Sequence, residues 1–252
     1  MPDPEGRGKR MKLFTIPYAG GFSFTYLKWR PLLHPDIKLH SLELPGRSSG
    51  LRDRMCVTIE EMAEHCLDRI AGEQGEYALF GHSMGAYVLL EVYRSLAARS
   101  LPLPKRIILS GMTPPHLYQN QNHHLLDEEC FRAKMVDMGG IPSLLVKEED
   151  FAATLFLLLR NDIRAVEHYR FEGGMPVFSC EVSLFNSEAD ISREHMLQWN
   201  RYSREPCRYH SFSGTHFFIN EHTADVVQVI NHLLSKEPTI SQTKRVVHYE
   251  NL

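Results

Sequence analysis

Long apolar runs are missing from this sequence. The greasiest stretch, Phe151 to Leu159, falls far short of the roughly 20 residues that a membrane-spanning helix needs. The N-terminal segment Met1-Pro2-Asp3-Pro4-Glu5-Gly6-Arg7-Gly8-Lys9-Arg10 is polar and lacks the apolar core of a secretory signal. An excess of one charge is missing too: 28 Lys and Arg stand against 31 Asp and Glu, a formal net charge of −3. That balance gives no reason to expect nucleic acid or an anionic membrane as a partner. Cysteine is sparse and unpaired in pattern. Cys56, Cys66, Cys130, Cys180 and Cys207 are odd in number and never form Cys-x-x-Cys, which fits reduced thiols in a cytoplasmic protein. His123-His124 is an adjacent pair without further spaced ligands, so no metal site is expected. Internal repeats and low-complexity tracts are absent as well.

What is present is an alternation of strand and helix patterns. At 252 residues, 43% of them hydrophobic, the chain can bury one full core, with room for an inserted subdomain. Strands are expected at Lys12 to Pro17, Ile37 to Leu42, Tyr77 to Phe80, Arg106 to Ser110, Val177 to Phe185 and Arg208 to Phe212. Helices are expected at Phe24 to Leu33, from Thr58 to Ile70, at Ala86 to Ala98 and at Thr223 to Leu234. Thr58 with Glu61 three residues on reads as a capping box. Pro45-Gly46-Arg47-Ser48-Ser49-Gly50 reads as a loop. Repeated parallel crossovers imply an α/β fold, a mostly parallel sheet covered by helices on both faces. The rhythm breaks between about Thr113 and Gly174, where only helical patterns occur; Phe151, Leu155, Leu158 and Leu159 form a stripe of helical period. The domain plan is therefore a flexible tail over residues 1–11, one domain over 12–235 with a helical lid inserted at about 113–174, and a flexible tail over 236–252. The alternative for the insertion is a helix pair packed on the sheet edge for stability alone.

The most telling stretch is Gly81-His82-Ser83-Met84-Gly85, which follows a short apolar strand and opens a helix. Small residues on either side permit the tight turn that lifts a serine hydroxyl clear of the sheet. A serine needs a base to take its proton and an acid to orient that base, in the chain order serine, acid, histidine. His216 lies in the loop after the last expected strand, beside Gly214 and flanked by aromatics. Asp190 lies just past the preceding strand, with Glu188 two residues away as a competing acid. The oxyanion formed on attack needs two backbone donors, one from Met84 and one from the glycine-bearing loop Pro17-Tyr18-Ala19-Gly20-Gly21.

Together, Ile16-Pro17-Tyr18-Ala19-Gly20-Gly21, Leu44-Pro45-Gly46-Arg47, Gly81-His82-Ser83-Met84-Gly85, Arg160-Asn161-Asp162 before Tyr169, and Gly214-Thr215-His216-Phe217-Phe218 resemble the type II thioesterases. Those enzymes accompany polyketide synthases and nonribosomal peptide synthetases, and an animal relative releases medium-length chains from fatty acid synthase. The resemblance implies an α/β-hydrolase fold, Ser83 as nucleophile, His216 as base, Asp190 as acid, and the Ala19 and Met84 amides as the oxyanion hole. It implies a stand-alone enzyme that edits acyl groups off the phosphopantetheine arm of acyl or peptidyl carrier proteins; acyl transfer through serine needs no metal or organic cofactor, and a monomer is the default expectation. The carrier is then expected to dock near the lid and the helix after Ser83. The Asp190 loop departs from the family pattern: Asn186 and Ser187 stand where paired glycines are usual, and Ile191 where a proline is usual. A small-molecule carboxylesterase, a terminal cyclising thioesterase, and a non-catalytic binding module on a hydrolase scaffold are the competing readings.

Overall fold

The computed structural model describes residues 10–47, 54–139, 141 and 149–235. The tail through Lys9, the Ser48 to Gly50 end of the expected loop, the side chain of Phe151 and the tail from Lys236 lie outside the described residues. Six strands form one parallel sheet: β1 (Met11–Ile16), β2 (Ile37–Ser41), β3 (Tyr77–His82), β4 (Arg106–Ser110), β5 (Glu181–Ser187) and β6 (Arg208–Phe212), in the order β2-β1-β3-β4-β5-β6. Registers such as Phe14 opposite Leu79 and Leu109 opposite Leu184 run through the middle of the sheet.

The strands read as near-continuous apolar runs because both faces are covered. Alternate residues serve opposite cores. Phe14, Leu79, Ile107, Leu109 and Leu184 pack under α1 (Ile59–Ile70) and α2 (Met84–Ala98). Leu13, Ala78, Phe80, Ile108 and Phe185 pack under α7 (Thr223–Leu234) and the 3-10 turn Ser23–Trp29. Each fully buried large apolar side chain contributes about 1.5–3 kcal/mol. On α1 the buried set Ile59, Met62, Ala63, Cys66, Leu67 and Ile70 follows the helical period. Thr58 caps α1 by accepting the Glu61 N–H at 3.1 Å. The Glu61 carboxylate closes on the N–H of Val57 (2.7 Å), one residue earlier than a capping box places it.

Three expected elements differ. The expected helix at Phe24 to Leu33 is a short 3-10 helix, Ser23–Trp29, followed by turns. Its core contacts, Tyr26 and Trp29, are three residues apart, the spacing that a 3-10 helix stacks on one side. The expected strand from Val177 begins only at Glu181. Strand β4 starts opposite Glu181 at Arg106, and the Val177 and Phe178 N–H groups both turn to the Tyr202 carbonyl (2.8 Å each). Helix α2 begins at Met84, two residues earlier than the apolar pattern indicates.

Between β4 and β5 the described residues form 3-10 turns at Pro115–Leu117 and His123–Leu125, then α3 (Glu128–Asp137) and α4 (Glu149–His168). The short helices α5 (Arg193–Leu197) and α6 (Phe218–Glu221) follow β5 and β6. Among the described residues no helix is long and apolar enough to cross a membrane.

Candidate active site

Strand β3 delivers Ser83 at its carboxyl end. Ser83 adopts φ 53°, ψ −124°, a conformation that costs a non-glycine residue about 1–3 kcal/mol. The turn is held from both sides: the Ser83 N–H donates to the Ser110 carbonyl and the Ser83 carbonyl accepts from Ala86, each at 2.8 Å. Glycines make the turn possible. A Cβ at Gly81 would collide with the Gly85 carbonyl, and one at Gly85 would stand 2.7 Å from the Ile16 carbonyl oxygen. The start of α2 is therefore pressed against the end of β1. Met84 is the first residue of α2, so its N–H has no partner within the helix.

The loop after β1 lines the same cavity as the Ser83 turn. The Gly21 N–H returns to the Tyr18 carbonyl at 2.8 Å, closing a turn in which Gly20 sits at φ 69°, the glycine position of a type II turn. Ala19 and Gly20 line one cavity together with Ser83 and His216. Its volume is about 420 Å³, and much of its wall is apolar: Phe22, Met135, Met138, Leu155, Leu159 and Ile163. Met135 comes from α3, and Leu155, Leu159 and Ile163 from α4, so the inserted helices form a large part of the chamber.

His216 follows β6. Its Nδ1 lies 2.6 Å from Asp190 Oδ2, and both side chains remain about one-fifth exposed. Glu188 points elsewhere: its carboxylate lies 3.4 Å from the hydroxyls of Tyr209 and Ser211 on β6. The two departures from the family pattern in this loop have structural partners. Asn186 Nδ2 donates to the Ile191 carbonyl at 2.6 Å, and the Ser187 carbonyl accepts from Asp190 and Ile191 at 3.0 and 3.1 Å. The Ser187 hydroxyl donates to the Gly214 carbonyl, tying the Asp190 loop to the His216 loop.

Behind the site, His82 is fully buried. Its Nδ1 pairs with the Ser110 hydroxyl at 2.9 Å, and its ring lies 5.0 Å from that of His216. Burial and the neighbouring His216 push its pKa well below the usual imidazole value, against a backbone contact with His216 that raises it. His123 and His124 lie away from Ser83, around the buried Glu167, which accepts both of their backbone N–H groups (2.7 and 3.1 Å). Among the described residues no group of three or more His, Cys, Asp or Glu is arranged to hold a metal ion.

One buried ion pair was not legible in the spacing. Arg47 and Asp162 meet at 2.5 Å with both side chains almost wholly buried. The same Asp162 Oδ2 also accepts the Gly20 N–H at 2.8 Å, and Arg47 Nε donates to the Gly21 carbonyl at 2.7 Å. Burial raises the Asp162 pKa, with the Arg47 guanidinium and the Gly20 amide pulling it back. The adjacent Arg160 and Asn161 also tie α4 to distant loops, through the Leu126 carbonyl (2.6 Å) and the Cys56 carbonyl (2.7 Å).

Known proteins resemble this chain in sequence and in fold. A family model described as a thioesterase domain matches residues 11–236. The thioesterase PikA5 of Streptomyces venezuelae is 27% identical over 229 residues, covering 89% of this chain and 81% of that protein. The solved structure of RedJ, a thioesterase of the prodiginine pathway in Streptomyces coelicolor, is 30% identical with a TM-score of 0.78, covering 88% of this chain and 84% of RedJ. ClbQ of the colibactin NRPS/PKS pathway is 27% identical with a TM-score of 0.82, over 88% and 96% of the two chains. The resemblance to type II thioesterases read from the motifs is borne out, and the chain belongs to the thioesterase family, serine hydrolases that act on thioesters.

Proposed function

We propose that this protein is a type II editing thioesterase that removes acyl groups from the phosphopantetheine arm of acyl or peptidyl carrier proteins in a polyketide or nonribosomal peptide pathway. The observation that carries the reading is the convergence of Ser83, His216 and the Ala19 loop on one largely apolar cavity, with His216 Nδ1 paired to Asp190. Ser83 attacks the thioester carbonyl while His216 takes its proton. Asp190 fixes the imidazole tautomer and stabilises the imidazolium. The Ala19 and Met84 amides receive the oxyanion. The tetrahedral intermediate collapses, His216 protonates the departing pantetheine sulfur, and the acyl group stays on Ser83. His216 then takes a proton from water as it attacks the acyl carbonyl and returns that proton to Ser83 Oγ as the acyl–serine bond breaks, releasing the free acid. At about 420 Å³ the cavity is within the usual range for small-molecule sites and has room for acyl groups larger than acetyl.

Mass spectrometry of acyl-phosphopantetheinyl carrier protein tests this, with wild type and Ser83→Ala side by side and a simple ester as control. Wild type should strip the carrier faster than it cleaves the ester, and the variant should do neither. Efficient ester cleavage with an untouched carrier would replace the reading with a carboxylesterase.

A further inference from the structure

We infer that Arg47 and Asp162 are positioning residues for the oxyanion site: they set the direction of the Ala19 amide by fixing two of the peptide groups that follow it, Ala19–Gly20 and Gly21–Phe22. This rests on the reading of Ala19 and Ser83 given above. The argument follows the peptide planes. In a trans peptide the C=O and N–H point in opposite directions. The Tyr18 carbonyl is engaged by the Gly21 N–H, so the Ala19 N–H of the same peptide is directed to the opposite side. That arrangement holds only while the turn keeps its type, and the central peptide, Ala19–Gly20, distinguishes type II from type I.

Asp162 grips that central peptide through its Gly20 N–H. Arg47 grips the Gly21–Phe22 peptide, two further along the chain, through the Gly21 carbonyl, and the two side chains grip each other. Two peptides of the loop are thereby held by two residues from distant parts of the chain, Arg47 after β2 and Asp162 on α4, and the Gly20–Gly21 peptide between them is held by its N–H on the Tyr18 carbonyl. Both are nearly inaccessible to solvent, and a buried ion pair is by itself weak evidence for stability, since well-packed apolar replacements often do as well. A purely structural role therefore predicts that such a replacement keeps turnover, whereas a positioning role predicts that turnover is lost.

The test compares two uncharged double variants, Arg47→Met with Asp162→Asn and Arg47→Met with Asp162→Leu. Asparagine keeps an acceptor for the Gly20 N–H and leucine does not. Melting temperature, kcat and KM for thioester hydrolysis are measured for both and for wild type. Losing one oxyanion donor costs on the order of 10²–10³-fold in kcat. The leucine variant should show a loss of that size with KM changed less than about threefold, and the asparagine variant should recover at least tenfold of it. Equal kcat in two folded double variants overturns the inference and leaves the Ser83 reading intact. A wild type that hydrolyses no thioester overturns both.

Amide hydrogen exchange on the wild-type protein gives a second readout that depends on no variant folding. The Gly20 amide should be strongly protected and the Ala19 amide should exchange much faster. Equally fast exchange at both positions refutes the anchoring.

Discussion

Gly85→Ala separates catalysis from stability at the point where two backbones meet. Taken alone, the change favours α2, since alanine is better than glycine inside a helix by up to about 1 kcal/mol. The added Cβ, however, would stand 2.7 Å from the Ile16 carbonyl oxygen and 3.0 Å from that of Pro17. Both atoms are backbone at the end of a buried strand and cannot swing away. Restoring the nearer contact to 3.4 Å, ordinary van der Waals distance, requires the start of α2 to retreat by about 0.7 Å. Overpacking of this kind costs about 1–3 kcal/mol, so the net destabilisation is about 0–2 kcal/mol, or at most about 8 °C in Tm for a domain of this size. The displacement falls on the Met84 N–H, one residue away. A misplacement near 1 Å costs on the order of 10²-fold in rate, so kcat should fall about 10- to 100-fold. Thiol release from an acyl-thioester, followed beside a thermal melt, measures both quantities. A folded variant with wild-type kcat would refute the dependence of the oxyanion site on this close approach.

Asp190→Asn should lower kcat by about 10⁴-fold, as loss of the imidazole-orienting acid does in a serine triad, while Glu188→Gln should stay within about twofold; the reverse result in steady-state kinetics would reassign the acid. Burial pushes the His210 pKa down to about 4, with Arg106, Arg208 and His232 adding positive charge around it. Between pH 6.5 and 4 the unfolded chain binds a proton that the folded chain does not, so stability falls as pH drops, by up to about 3 kcal/mol. His210→Phe should flatten that acid-side fall, and melts at pH 7 and pH 4.5 that differ as much as in wild type would exclude His210 as its source. Leu155→Trp narrows the chamber wall and should cut kcat/KM for long-chain thioesters by about tenfold or more while sparing acetyl, since each methylene in an apolar pocket is worth about 1–3 kcal/mol. A uniform loss across chain lengths would mean that Leu155 does not measure the chain.

The sheet and the Ser83 turn were legible because their signals are local: apolar runs of strand length, and small residues packed around a serine in five consecutive positions. His216 and Asp190 could be ranked by their places after expected strands, but the choice between Asp190 and Glu188 could not be made on the page. That choice depends on where two carboxylates point, and the Ser187–Gly214 bond that ties their loop to the His216 loop spans 27 residues. The Phe24 to Leu33 pattern suits an α-helix and a 3-10 helix almost equally, and only the packing of Tyr26 and Trp29 separates them. The expected start of β5 lies four residues too early because an apolar run does not reveal where its neighbour begins. Arg47 and Asp162 lie 115 residues apart, and no periodicity connects an arginine in one loop with an aspartate in a helix.

Helix α4 carries Asp162 beside Leu159 and Ile163 of the cavity wall, so on the proposed reading one rod holds both the gauge that meets the acyl chain and a strut of the reaction centre. Replacing the insertion wholesale with one shaped for another chain would import a foreign partner for Arg47, and a graft designed only for fit would arrive with its chemistry detuned. Exchanges that alter the substrate should therefore keep the turn of α4 around Asp162 and redraw the helix on its N-terminal side.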